Sequence, residues 1–210
     1  MDRAEVRCRL ALARAKQKNQ QKIENFYNAY KEGVQITLDS YRHKPKMSTH
    51  AILSKHELDG KYYFVIQDKH EKVYLAKVIC NYWATLKKIS KKSEEYLTNK
   101  DTFDCWINNA KKKREELIFS FFERYQKKYM LIAVRKTADE SGAMLYKYIS
   151  KHTHKGKHYF VMKSEDGYFV AKVVWFGFAM LVKLKETEFE KNSSIFESWL
   201  QEAKTNKKKN

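Results

Sequence analysis

The sequence contains little cysteine and no long apolar run, and each shortage excludes a class of protein. Three cysteines, Cys8, Cys80 and Cys105, are odd in number and too few for a disulfide framework, which indicates a reducing, intracellular compartment such as the cytoplasm, nucleoid or nucleus. The longest strongly apolar run covers only residues 173–182 and is too short to cross a bilayer. We therefore expect no membrane partner.

Helix-breaking residues are also scarce, and Pro45 is the single proline. From Phe103 to Tyr129, apolar and aromatic residues keep helical spacing with neither Gly nor Pro between them. One helix, over about Thr102 to Tyr129, is therefore expected to end the first half of the chain and to begin the second. This pattern excludes a flexible linker between two independent domains.

Acidic residues are outnumbered by basic ones. The chain has 43 Lys and Arg against 25 Asp and Glu, a formal net charge of +18 and a pI near 9.6. This excess goes beyond what solubility requires and favours a polyanionic partner. Aromatic residues make up 14% and hydrophobic residues 43% of the 210 positions, which excludes a disordered chain.

The most informative feature present is an internal repeat. Ser54-Lys55-His56 and the segment that begins at Gly60 return as Ser150-Lys151-His152 and the segment that begins at Gly156, at an offset of 96. A second pattern, Phe-acid-x-Trp-aliphatic-x-x-Ala-Lys, occurs at 103–111 and 196–204. Solenoid repeats have periods of about 20 to 50 residues, so this spacing indicates a duplicated domain. Packing rarely requires a Lys-His pair, so we expect both triplets to lie on one solvent-facing groove.

The predicted fold class is α+β, internally duplicated, with two α-β(3-4)-α units whose antiparallel sheets pack around a shared central helix. We predict a basic N-terminal helical extension over 1–22, a first repeat over 23–115, a second repeat over 116–204 and a basic tail over 205–210. Helices are predicted up to about residue 32 and over 195–204, and strands over 34–38, 51–53, 62–67, 73–86, 158–162 and 168–184. The two longest strands exceed the ordinary five or six residues, so each is expected to bend or bulge, near Asn81 and near Gly177.

Both repeats contain a basic segment without acidic residues, over 40–56 and 141–164. Lysines in such segments suit phosphate neutralisation, and exposed tyrosines suit stacking on unpaired bases. The alternative is a solvated sheet edge whose tyrosines face the core. The predicted nucleic-acid-binding residues are Arg42, Lys44, Lys46, Lys55, His56, Lys61, Lys147, Lys151, His152, Lys155, Lys157, Tyr146 and Tyr148.

The histidines suggest two further hypotheses, zinc binding and catalysis. His152, His154 and His158 are of ligand type, but the first repeat keeps only the first of the three, so no metal site and no cofactor are predicted. His56 or His152 would suit the general base of a nuclease, yet no acid partner is visible in the sequence. No catalytic residue is therefore assigned, and the chain is not predicted to be an enzyme.

The sequence favours a nucleic-acid-binding protein that uses the basic, aromatic strand surfaces of two tandem repeats, for DNA or RNA. One alternative is a protein-interaction module, such as an inhibitor or effector that docks on an acidic partner. A histidine-dependent nuclease is a weaker alternative. Trp106 and Trp199, in the repeated helix pattern, are assigned to packing.

Overall fold

The structure is a computed structural model that describes residues 3–38, 48–80, 83–125 and 130–205. Helices and two sheets make it a mixed α+β protein, as the sequence predicted. The chain divides into two compact units, Met1–Lys111 (unit 1) and Lys112–Asn210 (unit 2). Within the described ranges, no helix combines the length and apolarity that a membrane crossing needs.

Unit 1 begins with a long helix and continues as an antiparallel meander. The helix is α1 (Arg3–Ala29), and the strands are β1 (Gln35–Leu38), β2 (Ser48–Leu58), β3 (Lys61–Asp68), β4 (Val73–Cys80) and β5 (Ala84–Lys88). They are hydrogen-bonded in that order. The short helix α2 (Glu94–Thr98) follows, and then α3 (Lys100–Arg124), which begins in unit 1 and ends in unit 2.

Unit 2 contains a second set of strands in the same sequential order. They are β6 (Leu131–Arg135), β7 (Met144–His154), β8 (Lys157–Ser164), β9 (Gly167–Trp175) and β10 (Ala179–Lys183), followed by the helices α4 (Glu186–Glu190) and α5 (Ser193–Thr205). Strand β10 pairs in parallel with β6, which closes this sheet into a barrel.

Helices cover both faces of the sheet in unit 1. On one face, Phe26, Tyr27 and Tyr30 of α1 pack against a core that includes Phe64, because residues at this spacing share one side of a helix. On the other face, Tyr63 lies 5.2 Å from Phe103 of α3 between ring centroids. Burial on both faces explains why β3 is an unbroken apolar run rather than an alternating one.

In unit 2, helices contact both sides of the closed sheet. Phe122 from the last part of α3 is buried with Tyr148 and Phe160 inside the barrel. Outside it, Tyr159 is buried with Phe196 of α5. The predicted strand over 158–162 falls within β8, and the predicted helix over 195–204 falls within α5.

The helix α3 is continuous from Lys100 to Arg124. Phe103 and Ile107 near its start and Phe122 near its end are all buried. The helix predicted over 102–129 is confirmed as far as Arg124, and residues 126–129 lie outside the described ranges.

The two long predicted strands are each two strands. Strand β4 ends at Cys80 and β5 begins at Ala84 as its antiparallel partner, and β9 and β10 are related in the same way. Near Gly177, whose φ of 88° is left-handed, the chain reverses direction completely instead of bending or bulging as expected. Asn81 lies outside the described residues. The register shifts occur instead in β2 and β7.

Candidate nucleic-acid interface

The triplet Ser54-Lys55-His56 lies on β2, directly after a register shift between Ile52 and Ser54. The Oγ atom of Ser54 lies 2.8 Å from Nε2 of His56. The imidazole of His56 is stacked on the indole of Trp106 in α3, with ring centroids 4.3 Å apart and planes inclined by 5°. The first contact orients His56 within β2, and the second joins β2 to the helix that covers it.

The triplet of unit 2 makes the same contacts. A register shift precedes Ser150 on β7, and Ser150 Oγ lies 2.9 Å from Nε2 of His152. The imidazole of His152 stacks on Trp199 of α5, with centroids 4.4 Å apart and planes inclined by 10°. Trp106 and Trp199, which were expected to pack, therefore pack directly on the histidines of the triplets.

A hydrogen-bonded Ser–His pair also occurs in hydrolytic sites, where a third polar group orients the histidine. In both units the ring is oriented by an indole face instead. Burial lowers the pKa of His56 and of His152, so the neutral imidazole predominates at pH 7. A neutral, stacked ring suits packing and gives no electrostatic attraction to phosphate.

The lysines of the triplets also make contacts within their own units. Lys55 Nζ donates to the carbonyl oxygens of Tyr27 and, at 2.6 Å, of Tyr30, at the end of α1 where carbonyls lack helical partners. Lys151 Nζ lies 3.0 Å from Glu123 Oε1. Packing thus uses the Lys-His pair in both units, although it rarely requires one. The predicted role of these residues in binding nucleic acid, and their predicted place on one solvent-facing groove, stay predictions.

Each triplet is followed by a β-hairpin with a two-residue turn, and both residues of the turn have a positive φ, in the left-handed region. In unit 1 these are Asp59 (φ 50°) and Gly60 (φ 66°), and in unit 2 they are Lys155 (φ 49°) and Gly156 (φ 69°). Asp-Gly is a preferred pair in such turns, whereas a lysine adopts this conformation at a cost. Lys155 therefore occupies a backbone conformation that a lysine adopts less readily than the Asp59 of unit 1.

The two hairpin turns differ in charge. The turn between β2 and β3 carries Glu57, Asp59 and Lys61 at the positions where the turn between β7 and β8 carries Thr153, Lys155 and Lys157. Lys61, Lys155 and Lys157 are all exposed. Two carboxylates and one lysine in unit 1 are thus replaced by two lysines and no carboxylate in unit 2.

Side chains at the base of the unit 2 turn hold it against the start of α5. Nε2 of His154 lies 3.2 Å from Asn192 Oδ1, and Lys155 Nζ donates to the same oxygen at 3.3 Å. Thr153 Oγ1 lies 3.1 Å from Nδ1 of His158. The histidines considered as zinc ligands thus have separate partners, and the described part of the chain holds no cluster of three or more metal-ligand side chains.

The tyrosines predicted to stack on bases face the protein. Tyr148 is 4% exposed, and its ring lies 5.3 Å from that of Phe160. Tyr146 is half-buried, with its ring 4.8 Å from that of Phe169. Base stacking needs an open ring face, so we leave Tyr148 out of the interface.

Exposed aromatic rings lie elsewhere, at positions that the sequence reasoning missed, and two of them directly precede strands. Trp83 is 68% exposed just before β5, and Phe178 is 51% exposed just before β10. The guanidinium of Arg135 lies 5.1 Å from the centroid of Phe178. An aromatic residue directly before the repeated strand starts, Ala84 and Ala179, is the signal that would have found them.

Of the other predicted binding residues, one lies on β7 and three lie outside the described residues. Lys147 is half-buried on β7, where it is paired in register with Lys163. Arg42, Lys44 and Lys46 lie outside the described residues, so their predicted role stays a prediction.

Strands β6 and β7 expose apolar side chains on the outside of unit 2. Leu131 and Leu145 are each 64% exposed, and the register of β6 and β7 places them on the same side of the sheet. The repeat offset of 96 matches Leu131 with Gln35 and Leu145 with Thr49 of unit 1, both of which are polar. This apolar face is therefore particular to unit 2.

Comparisons with protein-family models, with curated proteins and with solved structures each find no match. Any function assigned to the chain therefore rests on its own residues and their geometry.

Proposed function

We propose that the protein binds nucleic acid, and that its two units arose by duplication of one α-β-α module and share α3. Recurrent contacts support the duplication. Lys88 Nζ lies 3.8 Å from the ring centroid of Tyr74, and at an offset of 95 Lys183 Nζ lies 5.2 Å from the centroid of Phe169. Together with the Ser-His-Trp clusters, these contacts recur at matching positions of the two units, which supports the duplication.

The observation that carries the binding proposal is the turn between β7 and β8. Lys155 and Lys157 are exposed there without a carboxylate beside them in the hairpin, and Lys155 occupies a left-handed position. Lysines in such a place neutralise phosphates and release counterions, which drives binding in a salt-dependent way. The exposed ring of Phe178 adds a surface on which an unpaired base can stack.

The test is binding of labelled DNA and RNA strands, single and double, at two salt concentrations. The proposal expects an affinity that falls steeply as salt rises, because several phosphates are neutralised together. An affinity that does not depend on salt, or no binding at all, would contradict the proposal that the protein binds nucleic acid.

A second candidate function is docking of an acidic protein on the apolar face of unit 2. Leu131 is paired in register with Lys147, and Lys147 with Lys163, so apolar side chains adjoin cations. This arrangement fits a partner that presents apolar residues among carboxylates.

The variant Leu131→Gln/Leu145→Thr, which installs the residues of unit 1, tests the second candidate. Docking on this face predicts that the variant loses capture of an acidic protein that the wild type captures, and that it still binds nucleic acid. Equal capture by the variant and the wild type would show that the acidic protein does not dock on this face.

A further inference from the structure

The first half of α1 is exposed to solvent. Side chains from Ala4 to Lys18 are exposed except for Val6, which is partly buried. Further along the helix, Cys80 Sγ donates to Asn19 Oδ1 at 3.7 Å, and Gln20 Nε2 donates to the carbonyl of Gly60 at 3.3 Å. We call residues 4–18 the basic arm.

The basic arm is rich in cations and in residues that favour a helix. It carries five cations and one acid, Glu5, and contains no aromatic residue. Ala, Leu, Arg, Lys and Gln are strong helix formers, which accounts for a helix here without buried side chains. An isolated helix of about 15 residues is nevertheless marginal in water, so a bound partner would stabilise it.

The cations of the basic arm are divided between two sides of the helix. At about 100° per residue, Arg7, Arg14 and Lys18 fall within about 40° of one another and span about 16 Å along the axis. Arg9 and Lys16 lie on the opposite side, and Arg9 is paired there with Glu5 at 2.6 Å. One side of the arm thus carries three cations and no acidic residue.

We infer that the basic arm lies in the major groove of B-form double-stranded DNA, with Arg7, Arg14 and Lys18 directed at the phosphates. This inference rests on the proposed function and names its substrate. The major groove of B-form DNA is about 12 Å wide and admits an α-helix, and the small side chain of Ala11 lies on the same side as the three cations.

Other nucleic acids fit the basic arm less well. The major groove of an RNA duplex is deep and narrow, so a helix does not enter it. Single strands are bound by stacking on aromatic rings, and residues 4–18 contain none. Double-stranded DNA is the substrate that suits a cationic helix without aromatic side chains.

Two double variants with the same loss of charge test this inference. Arg7→Gln/Arg14→Gln removes two cations from the side that carries three, and Arg9→Gln/Lys16→Gln removes two from the opposite side. Gln keeps the helix propensity, and all four side chains are exposed, so both variants should keep the thermal stability of the wild type. Fluorescence anisotropy would measure their binding to a DNA duplex of about 20 base pairs, to the RNA duplex and to the single strand.

The wild type should bind the DNA duplex best. Arg7→Gln/Arg14→Gln should weaken that binding at least about tenfold and reduce the salt slope by about two, and Arg9→Gln/Lys16→Gln should weaken it clearly less. Equal losses in the two variants, or equal affinity of the wild type for the RNA duplex, would overturn the inference. If the arm variants bind as the wild type does while Lys155→Gln/Lys157→Gln binds weakly, only this inference fails. If the wild type binds no nucleic acid, the proposed function fails with it.

Discussion

The imidazole of His56 lies flat on the indole of Trp106, with ring centroids 4.3 Å apart. His152 and Trp199 repeat this relationship at 4.4 Å in unit 2. Each histidine also meets the serine two residues before it. The serine and the histidine of each triplet thus have a role in packing a strand on a helix, and the proposed binding surface is formed by residues that project from the fold.

The stack in unit 2 should contribute strongly to stability. Removal of a packed Trp side chain costs about 3 to 5 kcal/mol when it is fully buried, so Trp199→Ala, at a half-buried position, should cost about 3 kcal/mol. Trp83→Ala is the matched control, because that side chain is 68% exposed and its loss should cost about 0.5 kcal/mol or less. Urea unfolding measures both, and equal effects would contradict the packing role.

Stability should fall in mild acid. Burial lowers the pKa of His50, His56, His152 and His158, while the unfolded chain titrates near the ordinary value of about 6.5. The unfolded state therefore takes up protons first, so stability is complete above about pH 6.5 and is lost as pH falls toward the lower folded pKa values.

Thermal melts at pH 7.5, 6.5 and 5.5 measure this effect. The midpoint temperature should drop across the range, and the drop should be smaller in His152→Gln, which removes one of the titrating groups. A midpoint that stays constant between pH 7.5 and 5.5 would show that the histidines are not linked to folding.

Lys155→Asn should change stability and nucleic-acid binding in opposite directions. Asn adopts the left-handed conformation more readily than Lys, so we expect the free energy of unfolding to rise by about 0.5 to 1 kcal/mol. Loss of the cation should weaken nucleic-acid binding and reduce the salt slope by about one. The reciprocal change Asp59→Lys in unit 1 should lower stability. Unchanged binding by the more stable variant would exclude Lys155 from the interface.

The two units should unfold together, because α3 supplies buried residues to both. Proline inside a helix costs about 3 kcal/mol or more, so Glu115→Pro should destabilise the whole chain. Glu115→Ala is the control at the same exposed site. Calorimetry of the wild type should show one transition, and two separable transitions would mean that the units fold independently.

The α+β class and the continuous helix were predictable because they depend on the spacing of apolar residues within each segment. The five strands of each unit were not, because three or four were expected and the reversal between β9 and β10 was expected to be a bend. Burial of Tyr148 was not, since alternation along a strand does not say which side faces the barrel interior. The stack of His56 on Trp106 joins residues far apart in sequence, and no local pattern encodes it. The exchange of Asp59 for Lys155 is visible in the aligned repeats, but its meaning depends on the left-handed backbone.

The most direct test of the account is a salt titration of DNA binding by Lys155→Gln/Lys157→Gln beside the control Lys72→Gln/Lys92→Gln. Both variants lose two cations from exposed positions, the first from the turn between β7 and β8 and the second from unit 1. The account predicts that the slope of log affinity against log salt becomes shallower by about two in the first variant. In the control, the slope should change little. Equal slopes in the two variants, or a wild-type affinity that does not depend on salt, would contradict it.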